Sequence, residues 1–273
     1  VFDTEFGARF TDRTRGCIEN AEDLLACVAE NARPRSRAVP RAPHFLGLDI
    51  ALVGDYSALC VGHNENEGLV ALDFSERIRA GEGKYTGQDR LEIEDILDWV
   101  EGVSKRFYIL EGVFDQWSGI LVEQAFKKRG LSQLKSTIFT RQLNSQLYQN
   151  LKTLMLDRKI SLYDWPIPEG EAHSDLIAEL LELQAETVSR YIINVEAPNI
   201  DGKFDDLSDA LVRMAWAAVN NSTRKHIVIG SNSRAAPQGG RTGPMNARRV
   251  GRVRSGSDPR RMNLKDRLKN RGH

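Results

Sequence analysis

The sequence predicts an α/β protein built on a mixed sheet with helices on both faces. Three short apolar runs separated by turn residues come first, as in successive hairpins. Strand-like and helix-like periods then alternate, a pattern that calls for parallel pairing through helical crossovers. With 273 residues, 41% hydrophobic and 28% charged, the chain also has the composition of a soluble domain large enough for a substantial core.

The elements follow in order. "CIENAEDLLACVAENA" places Ile18, Ala21, Leu24, Leu25 and Val28 on one helical face. "RPRSRAVPRAP" (33–43), with four Arg and three Pro, predicts an extended linker. Strands are expected over 44–54, 56–64 and 68–78, split by Gly54-Asp55 and by Asn64–Gly68. Leu91, Ile93, Ile96, Leu97, Val100 and Val103 mark a helix over 90–106, and "FYILEGVFD" (107–115) reads as a buried strand. A helix over 118–130 ends at Gly130, followed by a strand over 136–140, a helix over 143–159 and an extended piece over 160–163. A helix over 174–187 with Ser174 as its cap, a strand over 190–198 and a helix over 205–221 complete the pattern. Past Asn221 the periodicity stops, and Gly, Ser, Arg and Pro dominate 230–261. Three parts are therefore expected: a helical segment with its linker (1–43), the α/β domain (44–222), and a basic, largely disordered tail (223–273). "RMNLKDRLKNR" (261–271) reads as a basic helix for a partner.

A net charge of zero conceals an asymmetry. Residues 224–273 carry 14 Lys/Arg against two acids, which leaves 24 basic and 36 acidic side chains in residues 1–223. A basic block on an acidic body marks a tail that meets an anionic partner, most often nucleic acid. No apolar run approaches the roughly 18 residues of a membrane span, and "VFDTEFGARF" has no signal-peptide layout. Cys17, Cys27 and Cys60 are odd in number and form no CxxC pair, so neither a disulfide framework nor a zinc site is expected, and a reducing cytoplasm fits. There is no GxxxxGK[ST], GxGxxG or HExxH, and the five histidines are scattered.

What remains are acids at element ends. Asp49 interrupts the apolar run "FLGLDIALVGDYSAL". It either binds something or faces solvent from a half-exposed strand, because an unpaired buried carboxylate is costly. Asp115 closes a strand, where crevices open in α/β sheets, or else caps the next helix. "GKFDDLSDAL" (202–211) crowds Asp205, Asp206 and Asp209 into a helix start that needs one acidic cap. Asp206 and Asp209 share a face at i,i+3 and repel without a cation. The alternative is a solvated acidic helix start. Together the three sites suit Mg²⁺ or Mn²⁺, two of which hydrolyse phosphodiesters in many nucleases.

"FLGLDIALVGDYSAL", "FYILEGVFDQWSG" and "GKFDDLSDALVRMAWAAV" resemble the motifs of the C-terminal nuclease domain of bacteriophage terminase large subunits. "NSQLYQNLKTLMLDRKISL" resembles that family's helix and strand before the last motif, and "TEFGARF" its segment after the motor domain. The resemblance covers roughly residues 1–220 and implies an RNase H-like fold. It maps the metal-binding acids onto Asp49, Asp115 and Asp206, with Asp205 and Asp209 able to share the role of Asp206. Asp55 matches a position near the site. It implies Mg²⁺ or Mn²⁺ as cofactor and cleavage of concatemeric double-stranded DNA during packaging in the infected bacterium's cytoplasm. The small terminase subunit, the portal and the procapsid are the implied partners, with no membrane. Lacking a Walker A motif and starting at Val1, the chain reads as a fragment or the product of a split gene that cuts DNA without translocating it. Arg248, Arg249, Arg252, Arg254, Arg260 and Arg261 are expected to neutralise phosphates, or else the tail is inert or docks on the portal. The competing readings are another RNase H-like nuclease, such as a resolvase or transposase core, and a non-catalytic module docking through its tail.

Overall fold

A computed structural model describes residues 14–115 and 119–231 of the chain. Its centre is a six-stranded mixed sheet. The strands are β2 (His44–Asp49), β3 (Ser57–Asn64), β4 (Val70–Ile78), β5 (Ile109–Asp115), β6 (Leu134–Thr137) and β7 (Ile160–Ser161), in the order β6-β5-β2-β3-β4-β7. β2, β3 and β4 pair antiparallel as two hairpins, while β5 lies parallel to β2 and β6 parallel to β5. A smaller antiparallel sheet joins β1 (Thr14–Gly16), β8 (Gln184–Ser189) and β9 (Ile192–Glu196) in the order β1-β8-β9.

The helices divide between the two faces of the large sheet. One face packs α1 (Ala21–Leu25), α4 (Arg141–Leu156), α5 (Asp175–Glu182) and α6 (Asp206–Ser231) over Phe45, Ala58, Cys60 and Val113. The other packs α2 (Ile93–Ser104) and α3 (Gly119–Lys128) over Leu46, Leu48, Leu59, Val61 and Phe114. The assignment follows the two-residue period of a strand: Phe45 and Gly47 turn towards α6, Leu46 and Leu48 away from it. The same period sends Asp49 and Asp115 to the α6 face, and this positions the site.

α6 crosses β2 at Gly47 in direct backbone contact. A Cβ on Gly47 would lie 2.0 Å from the Ala210 carbonyl oxygen and 2.5 Å from the Met214 nitrogen. Glycine is required here for close approach, with no special backbone angle involved. Leu207, Ala210, Leu211, Val212, Met214 and Ala215 are all buried, so α6 is a core helix from its first turn.

Four expectations are corrected. The segment 33–43 is not a free linker. Arg35 donates its backbone N–H to the Asp73 carbonyl, Ala38 to Arg106 and His44 to Tyr108, which straps the segment across the sheet end. Cys17, Leu24 and Cys27 belong to the main core, so the chain is already integral to the fold before His44. The helix predicted over 174–187 ends at Glu182; Leu183 turns extended (φ −51, ψ 132) and 184–189 becomes β8, paired on both edges. Ser174 holds the N-cap position of α5 without a side-chain capping bond. α6 continues to Ser231, past the predicted end at 221. "TEFGARF" and the segment 261–271 lie outside the described residues.

Gly47→Ala is expected to cost at least about 1–3 kcal/mol, the usual range for overpacking, because backbone rather than a flexible side chain must give way. Chemical denaturation of the two proteins measures this, and equal midpoints would show that α6 does not rest on Gly47.

Candidate metal centre

Leu48 pairs with Phe114, so the next residues, Asp49 and Asp115, end two neighbouring parallel strands side by side. They line one open cleft of about 330 Å³ with Ile50, Ala51, Leu52 and Val53. Parallel strand ends are where α/β sheets open crevices; here the chain after β2 turns back as β3 while the chain after β5 goes on to a helix.

The first turn of α6 brings the remaining acids. Asp206 is only 6% exposed and, among the described residues, has no hydrogen-bond partner. Its carboxyl is pushed up to about 8, first by burial and then by Asp49, Glu179, Asp205 and Asp55. Asp205 accepts the Ala197 N–H at 3.0 Å and is raised by burial. Asp209 is engaged on both oxygens, by the Tyr148 hydroxyl at 2.5 Å and by Arg213 Nη2 at 3.0 Å. Burial raises it against the pull of Arg213.

Arg213 is the internal counter-charge of this cluster. It is 3% exposed, and its Nη1 donates to Asp49 Oδ1 at 2.6 Å and to the Leu48 carbonyl at 2.9 Å. Burial works against its charge, but Asp49 and Asp209 outweigh that and raise its pKa. Phe139 lies under the guanidinium at 4.7 Å.

No protein-family model and no curated protein matches the sequence. Solved structures do match. The large terminase nuclease of thermophilic phage G20c superposes with a TM-score of 0.53 at 16% identity, over 73% of this chain and 96% of that one. The bacteriophage HK97 large terminase gives 0.59 at 14% identity, over 75% of this chain and 44% of that one. The chain thus spans less than half of the HK97 protein. The G20c nuclease with bound magnesium gives 0.50 at 16% identity, over 68% of this chain and 89% of that one. The fold is that of a large-terminase nuclease domain.

Within this terminase-type, RNase H-like fold, Asp49 and Asp115 line one cleft, and Asp49 is close enough to raise the pKa of Asp206 by its charge. Asp209, named with them as a candidate ligand, has one internal partner on each oxygen, and Asp205 has one on Oδ2. The six tail arginines lie outside the described residues. Two participants were missed. Glu179 of α5 accepts the Ser208 N–H at 3.0 Å and Arg77 Nη1 at 3.1 Å. It thereby fixes the start of α6, and burial pushes its carboxyl up to about 8. The signal was an acid on the apolar face of "SDLIAELLEL". Arg213 was the other, signalled by its i,i+4 spacing from Asp209.

The histidines are not all scattered. His44 and His63 are cross-strand partners, and with Asp73 their ligand atoms lie within 4.8 Å of one another, fully buried. This cluster sits at the far end of β2 from Asp49. His63 Nδ1 lies 2.7 Å from Asp73 Oδ2, Arg35 Nε reaches Asp73 Oδ1 at 2.8 Å, and the Val39 N–H donates to His44 Nε2 at 3.2 Å. Burial lowers the pKa of His44. His44 Nδ1 is buried without a hydrogen-bond partner, while its Nε2, His63 Nδ1 and Asp73 are engaged, and the cluster fastens the 33–43 strap to the sheet.

Asp206 and Glu179 hold protons in the folded state up to about pH 8, and in the unfolded chain only to about pH 4. Their contribution is fully present below about pH 4 and is lost as pH rises towards 8. In EDTA, the melting temperature is expected to fall between pH 5 and pH 8, less so in Asp206→Asn. A parent and variant with parallel profiles would contradict this.

Proposed function

We propose that this chain is a metal-dependent DNA endonuclease of the large-terminase type, cutting concatemeric viral DNA during genome packaging in the cytoplasm of an infected bacterium. One observation carries the reading: a buried, unpartnered Asp206 approaches Asp49 beside the cleft that Asp49 shares with Asp115. Like charges gathered this way favour a cation, and an all-oxygen donor set without thiolate or imidazole fits a hard one. The likeness in fold to nuclease structures, one of them with magnesium, supports the same reading.

On this reading Asp49, Asp115 and Asp206 hold Mg²⁺ or Mn²⁺, two ions in all. Bound there, such ions activate water for attack on a phosphodiester and steady the leaving oxygen. Asp49 and Asp115 present their carboxylates from two sheet-anchored strand ends, which limits their movement. Asp206 closes the set from a helix that Glu179 and Gly47 hold in place. Residues 50–53 wall the cleft, so a DNA backbone enters from the open side. Double-stranded DNA is the proposed substrate, with the small terminase subunit, portal and procapsid as partners. Arg248, Arg249, Arg252, Arg254, Arg260 and Arg261 are proposed to neutralise phosphates.

Conversion of supercoiled plasmid to nicked and linear forms in Mn²⁺ or Mg²⁺ tests the proposal. The parent is expected to cut, and Asp49→Ala and Asp115→Ala to lose on the order of a hundredfold or more in rate, with unchanged circular dichroism. A folded parent inert with both metals, or variants that cut as well as the parent, would leave the non-catalytic docking module as the better reading.

A further inference from the structure

We infer that Arg213, mounted on Asp209, is a positioning residue that limits Asp49 to one metal-binding oxygen and so selects small divalent cations over Ca²⁺. The inference rests on the metal-centre reading above and adds to it the source of ion selectivity.

The two oxygens of Asp49 differ in what they can offer a metal. Asp49 Oδ1 accepts two hydrogen bonds, from its neighbour's backbone N–H (Ile50, 3.1 Å) and from Arg213 Nη1 (2.6 Å). A carboxylate oxygen has about two acceptor sites, so Oδ1 is filled. Among the described residues, Oδ2 has no recorded partner. Asp49 therefore has Oδ2 to give. Each Asp209 oxygen already accepts one bond, Oδ1 from Tyr148 and Oδ2 from Arg213, so this carboxylate is held inward by two partners.

The guanidinium is held from several directions at once. Nη1 is fixed by the Leu48 carbonyl as well as by Asp49, Nη2 by Asp209, and the plane rests on Phe139. A fork-shaped cation with two terminal nitrogens spans two carboxylates in a way that an ammonium does not. Because it is buried, displacing it means exposing or stranding charge, which is costly.

The consequence for a metal follows from coordination chemistry. Ca²⁺ takes six to eight oxygens and gains most from bidentate carboxylates, whereas Mg²⁺ needs six short bonds and retains several waters. Mn²⁺ shares the preference for an octahedral oxygen shell. A site whose central aspartate offers one oxygen, and whose fourth acid is spent on an internal arginine, suits the second kind. Removing Arg213 together with the charge of Asp209 frees Asp49 Oδ1 and lets the aspartate bind through both oxygens.

The test is titration calorimetry of the metal-free protein with Mn²⁺ and with Ca²⁺. It compares the parent with Asp209→Asn, Asp49→Asn and the double variant Asp209→Asn/Arg213→Gln. The double variant removes one positive and one negative charge, so the net charge of the cluster is unchanged while Asp49 loses its Arg213 partner. The parent is expected to bind Mn²⁺ more tightly than Ca²⁺. The double variant narrows that ratio by about tenfold, the lower range for partners that orient metal ligands. Asp209→Asn retains measurable Mn²⁺ binding, whereas Asp49→Asn eliminates it. A folded double variant with the parent's Mn²⁺/Ca²⁺ ratio overturns the inference, as does an Asp209→Asn variant as empty as Asp49→Asn. Should the double variant fail to fold, Asp209→Asn decides. A parent that binds neither ion overturns the metal-centre reading itself, an outcome distinct from unchanged selectivity.

Discussion

The contact between α6 and the bare backbone of Gly47 sets the geometry on which everything else depends. It allows no side chain between helix and strand. The distance from the first turn of α6 to the end of β2 is therefore fixed by backbone packing, and so is the approach of Asp206 to Asp49. Each large apolar side chain that α6 buries, Leu207, Leu211, Val212 and Met214 among them, stabilises the fold by roughly 1.5–3 kcal/mol. Repulsion from Asp49 and the neighbouring acids opposes it, and the raised pKa of Asp206 relieves part of that cost. Packing wins, and the acids are held together because the core leaves them nowhere else to go.

The protein handles this repulsion unevenly. Asp209 and Asp49 share Arg213, so one full positive charge is built into the cluster. Asp205 takes a backbone N–H and Glu179 takes both Ser208 and Arg77. Asp206 receives none of these compensations. Asp206 meets its burial instead by holding a proton up to about pH 8, at the cost that an unpaired carboxyl carries in a largely buried position. The compensation is thus arranged around Asp206 and withheld from it, which separates this cluster from an ordinary acidic helix start.

Much of this was legible in the sequence. Whereas the strand read over 44–54 ends already at Asp49, the hairpins, the alternation and the placement of Asp115 at a strand end follow from periods and turns, which are local. So did the acids at the start of α6, since three in five residues exceed what a cap needs. What the sequence concealed depends on partners distant along the chain. β8 was absorbed into the preceding helix because its strand character comes from β1 and β9 on its two edges, and "LELQAET" alone continues a helical pattern. The 33–43 strap looked like a linker because proline density is local, while Asp73, Arg106 and Tyr108, which hold it, are not. Asp73 itself is tied to histidines that meet only through strand register. Arg213 is the instructive case: its spacing from Asp209 was visible, but not that both lie inside the protein.

Charge at the larger scale bears on how such a site would meet DNA. Residues 1–223 carry twelve more acidic than basic side chains, so the body as a whole repels a polyanion over the Debye length of about 8 Å. An acid cluster at the mouth of the cleft adds to that repulsion until cations occupy it. On the proposed function, metal loading therefore does two things at once: it supplies the chemistry and reverses the local sign of the field that phosphate encounters. Without metal the same residues keep DNA away. Non-specific cutting is then limited twice over, by the field of the body and by ion occupancy, and productive cleavage falls to DNA that some other surface delivers. The basic block after residue 223 is the part of this chain whose charge suits that task.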